Sequence, residues 1–234
     1  MFHPIVSHKY KFICFWNAKC ACGTIKTWFL NIHGIYDWEY SPHSEISKYT
    51  PVINSHNLLE TPYKDYYKFV VVRNPWKRLV SYYKNKKILM RHKNITFPID
   101  RNYHNETGDI TFNELVKLIA NSSKYSREDH VADQYIGLET VKFNKIVKLE
   151  NIDNDMKEVE KILEIPSIFN FKTTFHQPSS PVSDSTNFVF NKKPLEFDHN
   201  DLPSYEYFYN NELKDLVNNI YQMDINQFNY QFKD

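Results

Sequence analysis

Glycine is scarce, with four residues in 234, so Gly23, which falls inside a small-residue loop, stands out. Long apolar runs are missing. No stretch of about eighteen apolar residues occurs, and no apolar segment follows a basic N-terminus; neither a membrane span nor a signal peptide is expected. Cysteine is limited to Cys14, Cys20 and Cys22, an odd and crowded set unsuited to a disulfide framework and without zinc-ligand spacing. A reducing compartment, the cytoplasm, follows as the expectation, unless the chain is trimmed from one that enters the Golgi lumen. No metal site is expected. Net charge is nearly absent at +1, which argues against nucleic acid as a partner and makes any basic function a local one. The GxxxxGK[ST] phosphate loop is absent, and so are internal repeats.

What is present is a folded core. Hydrophobic residues make up 41% of the chain and aromatics 16%, which excludes disorder and fits one domain over 1–234. Residues 10–16, "YKFICFW", read as a buried strand. "NAKCACG" follows as a loop, Thr24 as an N-cap, and Ile25, Trp28, Phe29 and Ile32 as one helical face stopped by Gly34. Residues 35–65 carry few regular signals. "YYKFVVVR" (66–73) is nearly continuously apolar, as in a parallel strand covered on both faces. Asn74 and Pro75 then suit the N-cap and first turn of a helix facing inward through Trp76, Leu79, Val80 and Tyr83. Residues 94–110 read as loop. Thr111 and Glu114 form a capping box for a helix over 111–120. A strand over 144–151, a helix over 153–165 halted by Pro166, a long loop over 172–200 and a helix over 205–221 complete the chain. Alternating strands and helices predict α/β with a parallel sheet.

In such sheets ligands bind beyond the carboxyl ends of the strands, and two strand ends here carry anion chemistry. After the first comes Lys19-Cys-Ala-Cys-Gly-Thr-Ile-Lys26, where small residues admit an anion to backbone N–H groups, a helix N-terminus follows, and Lys19 and Lys26 flank the loop. After the second come Arg73, with a bidentate fork, and Ser81, with a hydroxyl. From Arg73 to Lys93 there are eight Lys/Arg and no Asp or Glu. A solvated basic helix is the plain reading of that run, and a simple strand–helix turn is the plain reading of the first loop.

"VVVRNPWKRLVSYYKNK" resembles the 3′-phosphate-binding segment of the carbohydrate sulfotransferases that use 3′-phosphoadenosine 5′-phosphosulfate (PAPS), the Golgi-type family 2 and uronyl 2-O-sulfotransferase group. "NAKCACGTIK" is similar to their 5′-phosphosulfate loop, and the two motifs stand in the family's order. Weaker likenesses run to the C-terminus: "DHVADQ" (129–134) to a His-x-x-Pro-Gln element, "KFNKIVKLENIDNDM" to a strand and turn, "HQPSSP" (176–181) to a loop near the nucleotide, and "LKDLVNNIYQMDINQFNY" to the terminal helix. Three positions depart from the pattern. Ala18 replaces a Pro, Asn74 an acid, and Asp133 the Pro of His-x-x-Pro-Gln.

The resemblance implies a P-loop-NTPase-like three-layer fold with a central, mostly parallel sheet. It implies transfer of a sulfuryl group from PAPS to a carbohydrate hydroxyl, on a glycan or glycolipid that could itself be anionic, with 3′-phosphoadenosine 5′-phosphate (PAP) as product and no metal. Arg73 and Ser81 would hold the 3′-phosphate. The backbone of Ala21, Cys22, Gly23, Thr24 and Ile25, with the Thr24 hydroxyl and Lys26, would hold the phosphosulfate. Lys19 would stabilise charge on the departing nucleotide. An imidazole suits the base at neutral pH; His56 matches the catalytic His of the uronyl 2-O branch, His130 comes second and Glu60 third. Two other classes remain open. A nucleotide-dependent small-molecule kinase predicts Mg²⁺ and ATP dependence, which the absent Walker loop disfavours. A non-catalytic glycan-binding protein on this scaffold predicts glycan binding without donor binding. Trp16, Trp28, Trp38 and Trp76 read as core, with Trp38 the one placed to stack on a sugar.

Overall fold

Four strands form one sheet in the order β1 (Ile5–Ser7), β2 (Phe12–Trp16), β3 (Tyr67–Val72), β4 (Lys145–Lys148). The coordinates are a computed structural model that describes residues 4–51, 63–93, 109–135, 137–171 and 188–234. The chain divides into two compact units: Met1–Arg73 with Tyr135–His176, and Asn74–Gln134 with Gln177–Asp234.

The first unit contains the sheet. β2 pairs in parallel with β3, and β3 with β4, as the apolar runs predict. β1 was not legible: three residues, Ile5 to Ser7, turn back through Lys11, at φ 51, and pair antiparallel with β2 in the register Ile5 to Cys14. Side chains alternate between faces. Phe12, Cys14, Phe69, Val71 and Val147 share a core with α1 (Cys22–Ile32) and α5 (Ile152–Ile162) through Ile25, Trp28, Phe29, Met156 and Val159. On the opposite face Ile13, Phe15, Val70 and Val72 are also buried. This two-sided burial explains why these strands read as unbroken apolar runs.

Helix ends account for two corrections. α1 begins at Cys22, capped by Ala21 in the left-handed region, so Thr24 lies inside the first turn and is not the N-cap. α5 ends at Ile162, short of Pro166, because Glu164 takes φ 52 and Ile165 N–H donates back to Glu160 O at 2.8 Å. The stop of α1 is the expected one. Gly34, at φ 77, donates to Asn31 O at 3.0 Å and Ile35 donates to Leu30 O at 3.0 Å, a Schellman ending. A short α2 (Pro42–Glu45) follows, capped by Ser41.

In the second unit α3 (Pro75–Tyr82) starts as read. Asn74 Oδ1 accepts from Trp76 N–H at 3.1 Å and Lys77 N–H at 3.2 Å, and Pro75 opens the turn. The helix continues as a π-helical segment, Tyr83–Leu89, a form common at functional sites. α4 (Phe112–Asn121) has the predicted capping box and buries Phe112, Leu115, Val116 and Ile119. The helix expected over 205–221 is two pieces. A 3-10 turn over Tyr205–Phe208 ends at Tyr209, whose buried hydroxyl donates to Trp76 O at 3.0 Å. Asn210 then caps α6 (Asn211–Ile220), which leads into α7 (Gln222–Phe228).

Candidate active site

The small-residue loop between β2 and α1 is held in an unusual backbone conformation. Lys19 and Ala21 have φ of 65 and 54, left-handed values that cost a non-glycine residue roughly 1–2 kcal/mol each. Contacts within the first unit sustain them. Asn17 Nδ2 donates to Val71 O at 3.4 Å, Cys20 N–H donates to Asn17 O at 3.2 Å, and Arg73 Nη1 donates to Lys19 O at 3.1 Å. Cys20 is fully buried. Ile25 N–H is taken by Ala21 O at 3.0 Å. The N–H groups that an α-helix leaves without an intrahelical acceptor are therefore those of Cys22, Gly23 and Thr24. They carry the positive end of the α1 dipole, and the chemistry of this donor set fits a phosphate or sulfate ester.

Lys26 is not a solvated flanking charge. It is buried, with Nζ 3.6 Å over the Trp16 ring and 2.9 Å from His43 Nδ1. Burial lowers its pKa, opposed in part by the nearby Cys22. Cys14 is buried, which pushes its thiol far above the ordinary range, and all three cysteines are unpaired.

Ser81 lies on α3, half-buried. The basic run is not a solvated face either. Arg78 and Lys87 are buried, and Arg73, Lys77, Lys84, Lys86 and Arg91 are half-buried. Arg78 donates to Ala132 O at 2.6 Å and Asp129 O at 3.0 Å, so part of the run's charge is structural.

Those two bonds fix the segment around His130. Arg127 pairs with Asp133 at 3.0 Å, both buried; Gln134 N–H donates to Asp224 Oδ2 at 2.8 Å and Tyr221 OH to Val131 O at 2.7 Å. Asp133, the departure from the family pattern, is thus a buried partner for Arg127. Burial still raises its pKa, against the pull of Arg127. His130 Nδ1 lies 2.5 Å from Glu128 Oε1, and Glu128 Oε2 accepts His130 N–H at 2.9 Å. Burial pushes the Glu128 carboxyl up, but the hydrogen bonds and charge of His130 outweigh it and hold it below its usual value. A carboxylate on Nδ1 leaves Nε2 to take a proton. Glu128 was not singled out from the sequence; its place two residues before a candidate base was the available signal.

His56, Glu60 and residues 176–181 lie outside the described residues. Trp16 and Trp38 are partly buried against the first unit's core. Trp28 is in that core, donating to Glu160 Oε1 at 2.9 Å, and Trp76 is buried. Among the described residues no cluster of His, Cys, Asp or Glu could hold a metal ion, and no helix is long and apolar enough to cross a membrane.

A model described as "Sulfotransferase family" matches residues 2–231. The chain is also similar to human carbohydrate sulfotransferase 14, with 24% identity over 197 residues that cover 77% of this chain and 52% of that protein. The chain thus spans about half the length of the curated relative it matches. No solved structure matches.

Proposed function

Because the chain belongs to the sulfotransferase family, we propose that it moves a sulfuryl group from PAPS to a carbohydrate hydroxyl by in-line displacement. The observation that carries the proposal is the left-handed loop at Lys19 and Ala21, which Arg73 ties to the end of β3. Such a loop opening a helix is built for an anion. The family match, which spans residues 2–231, supports reading both units as parts of one catalytic domain.

Bound PAPS supplies the activated sulfuryl group; the chain's residues bind, orient and move a proton. N–H groups of Cys22, Gly23 and Thr24, with the Thr24 hydroxyl, would hold the 5′-phosphosulfate. Ala21 shapes the loop, and Ile25 closes its first turn. Arg73 and Ser81, assigned from the sequence segment they share, would take the 3′-phosphate. Lys19 would stabilise charge on the leaving nucleotide, an effect commonly worth a few kcal/mol. For the base, the sequence points first to His56. His130 is the second choice, supported by a Glu128 that fixes its tautomer. The relative's name, carbohydrate sulfotransferase, supports a carbohydrate acceptor, and the basic segment favours an anionic one. Three free thiols favour a reducing compartment, the cytoplasm.

Calorimetric titration with PAP, with ATP as control and Arg73→Ala alongside, tests the proposal. Micromolar PAP binding that the variant loses supports it. Absence of PAP binding, or equal binding of ATP, overturns it in favour of the glycan-binding or kinase reading.

A further inference from the structure

Lys26 and His43 form a contact that the roles above leave unused. Lys26 sits in the second turn of α1, 4% exposed. Its ammonium lies 3.6 Å over the Trp16 ring and 2.9 Å from His43 Nδ1. An ammonium has donors and no acceptor, so Nδ1 is the acceptor and the ring proton resides on Nε2. Protonating Nδ1 would remove that acceptor and set a second cation beside the first, which Coulomb repulsion opposes. Nε2 is turned toward α1, 3.7 Å from where a Cβ on Gly23 would stand. Glu45, the carboxylate of the same short helix, is engaged by Lys48 at 2.8 Å. A buried lysine thus fixes the tautomer of an exposed histidine, and the histidine's other nitrogen is held over the first turn of the anion loop.

We propose that His43 is a binding residue of the 5′-phosphosulfate site, presenting Nε2–H to the anion held by the first turn of α1, with Lys26 as its positioning residue. The inference rests on the sulfotransferase reading and deepens it. It assigns a donor to α2, outside both sequence motifs, and gives Lys26 an indirect role: its charge reaches the anion through the imidazole. A neutral N–H suits this place because it adds a hydrogen bond without a counter-charge that must later be separated from product.

The test compares two nucleotides, PAP and adenosine 3′-monophosphate, which lacks the 5′-phosphate. Calorimetry on the full chain should show that His43→Ala weakens PAP by about tenfold, the loss of a hydrogen bond to a charged group. Adenosine 3′-monophosphate should bind that variant as it binds the wild type. The His43→Ala melting temperature should fall slightly, since the change takes an acceptor from the buried Lys26 ammonium; retained adenosine 3′-monophosphate binding shows the fold intact. Long-range nitrogen NMR should show the wild-type His43 proton on Nε2, and Lys26→Met should scramble that tautomer. An unaltered preference for PAP in His43→Ala, or a proton on Nδ1 in the wild type, overturns this inference alone. Failure of the wild type to bind PAP overturns the donor reading and this inference with it.

Discussion

Arg73 Nη1 donates to the carbonyl oxygen of Lys19 at 3.1 Å. The bond joins the end of β3 to a residue at φ 65 in the loop after β2. One guanidinium therefore braces the backbone of one proposed phosphate motif while belonging by sequence to the other. Removing it should do two things at once: withdraw a ligand and loosen a strained turn.

Arg73→Lys is accordingly expected to fail as a conservative change. A lysine keeps the charge but not the planar fork that can serve a carbonyl and a phosphate together. Calorimetry with PAP should show Arg73→Lys closer to Arg73→Ala than to the wild type, with each at least tenfold weaker.

Gly23→Ala should separate stability from binding. Gly23 lies within α1, and among the described residues beyond its own helix a Cβ there meets His43 Nε2, at an ordinary 3.7 Å. Replacing a helical glycine stabilises by roughly 0.5–1 kcal/mol, so the melting temperature should rise by a few degrees. The methyl would stand beside the Gly23 N–H, and PAP affinity should fall. A variant that gains stability and keeps full affinity would remove Gly23 from the anion site.

His33 gives the fold a pH dependence. Its Nδ1–H donates to Phe29 O at 2.8 Å and its Nε2 lies 3.0 Å from Ser7 Oγ. Burial is the main cause lowering its pKa from 6.5; the bond to Phe29 O opposes this, and nearby Lys9 adds to it. The unfolded chain then binds the proton more readily, so His33's contribution is present above pH 6.5 and is lost as pH falls through its lower native value. Urea midpoints measured from pH 7.5 to 5 should decline less steeply in His33→Gln than in the wild type.

Asp133→Ala should be among the most damaging changes in the second unit. It strands the Arg127 guanidinium, which is 6% exposed, and breaking a buried pair on one side costs about 3–5 kcal/mol. Chemical denaturation should report that loss. Replacing both partners with apolar residues should be milder than replacing one.

His56→Ala and His130→Ala, assayed with labelled PAPS and a glycan panel, should settle the base. Losing a general base costs about 10²–10⁴ in rate. If His130 is the base, Glu128→Gln should shift the acid limb of the pH–rate profile and reproduce part of the loss. If His56 is the base, Glu128→Gln should leave the profile in place.

The parallel strands, the Asn74–Pro75 helix start, the Thr111–Glu114 box and the Gly34 stop were legible because each depends on neighbours in sequence. Apolar runs, side-chain caps and φ-permissive residues act over a few positions. β1 was not legible, because three residues carry too little pattern and pair only once β2 is present. The break at Tyr209 was hidden for a related reason: a buried hydroxyl bound to Trp76 O decides it.

The sequence by itself determined the small-residue loop, its strand–helix setting and the family, since small residues, Arg73 and the motif order are local chemistry. Tertiary structure alone decided which charges are available for a ligand. The eight basic residues from Arg73 to Lys93 look alike in sequence, yet Arg78 and Lys87 are buried and Arg78 is spent on backbone carbonyls. Lys26, seventeen residues from His43, meets it only because α2 folds back on α1. Burial and pairing depend on what the chain brings near a charge, and that is a property of the fold rather than of the residue.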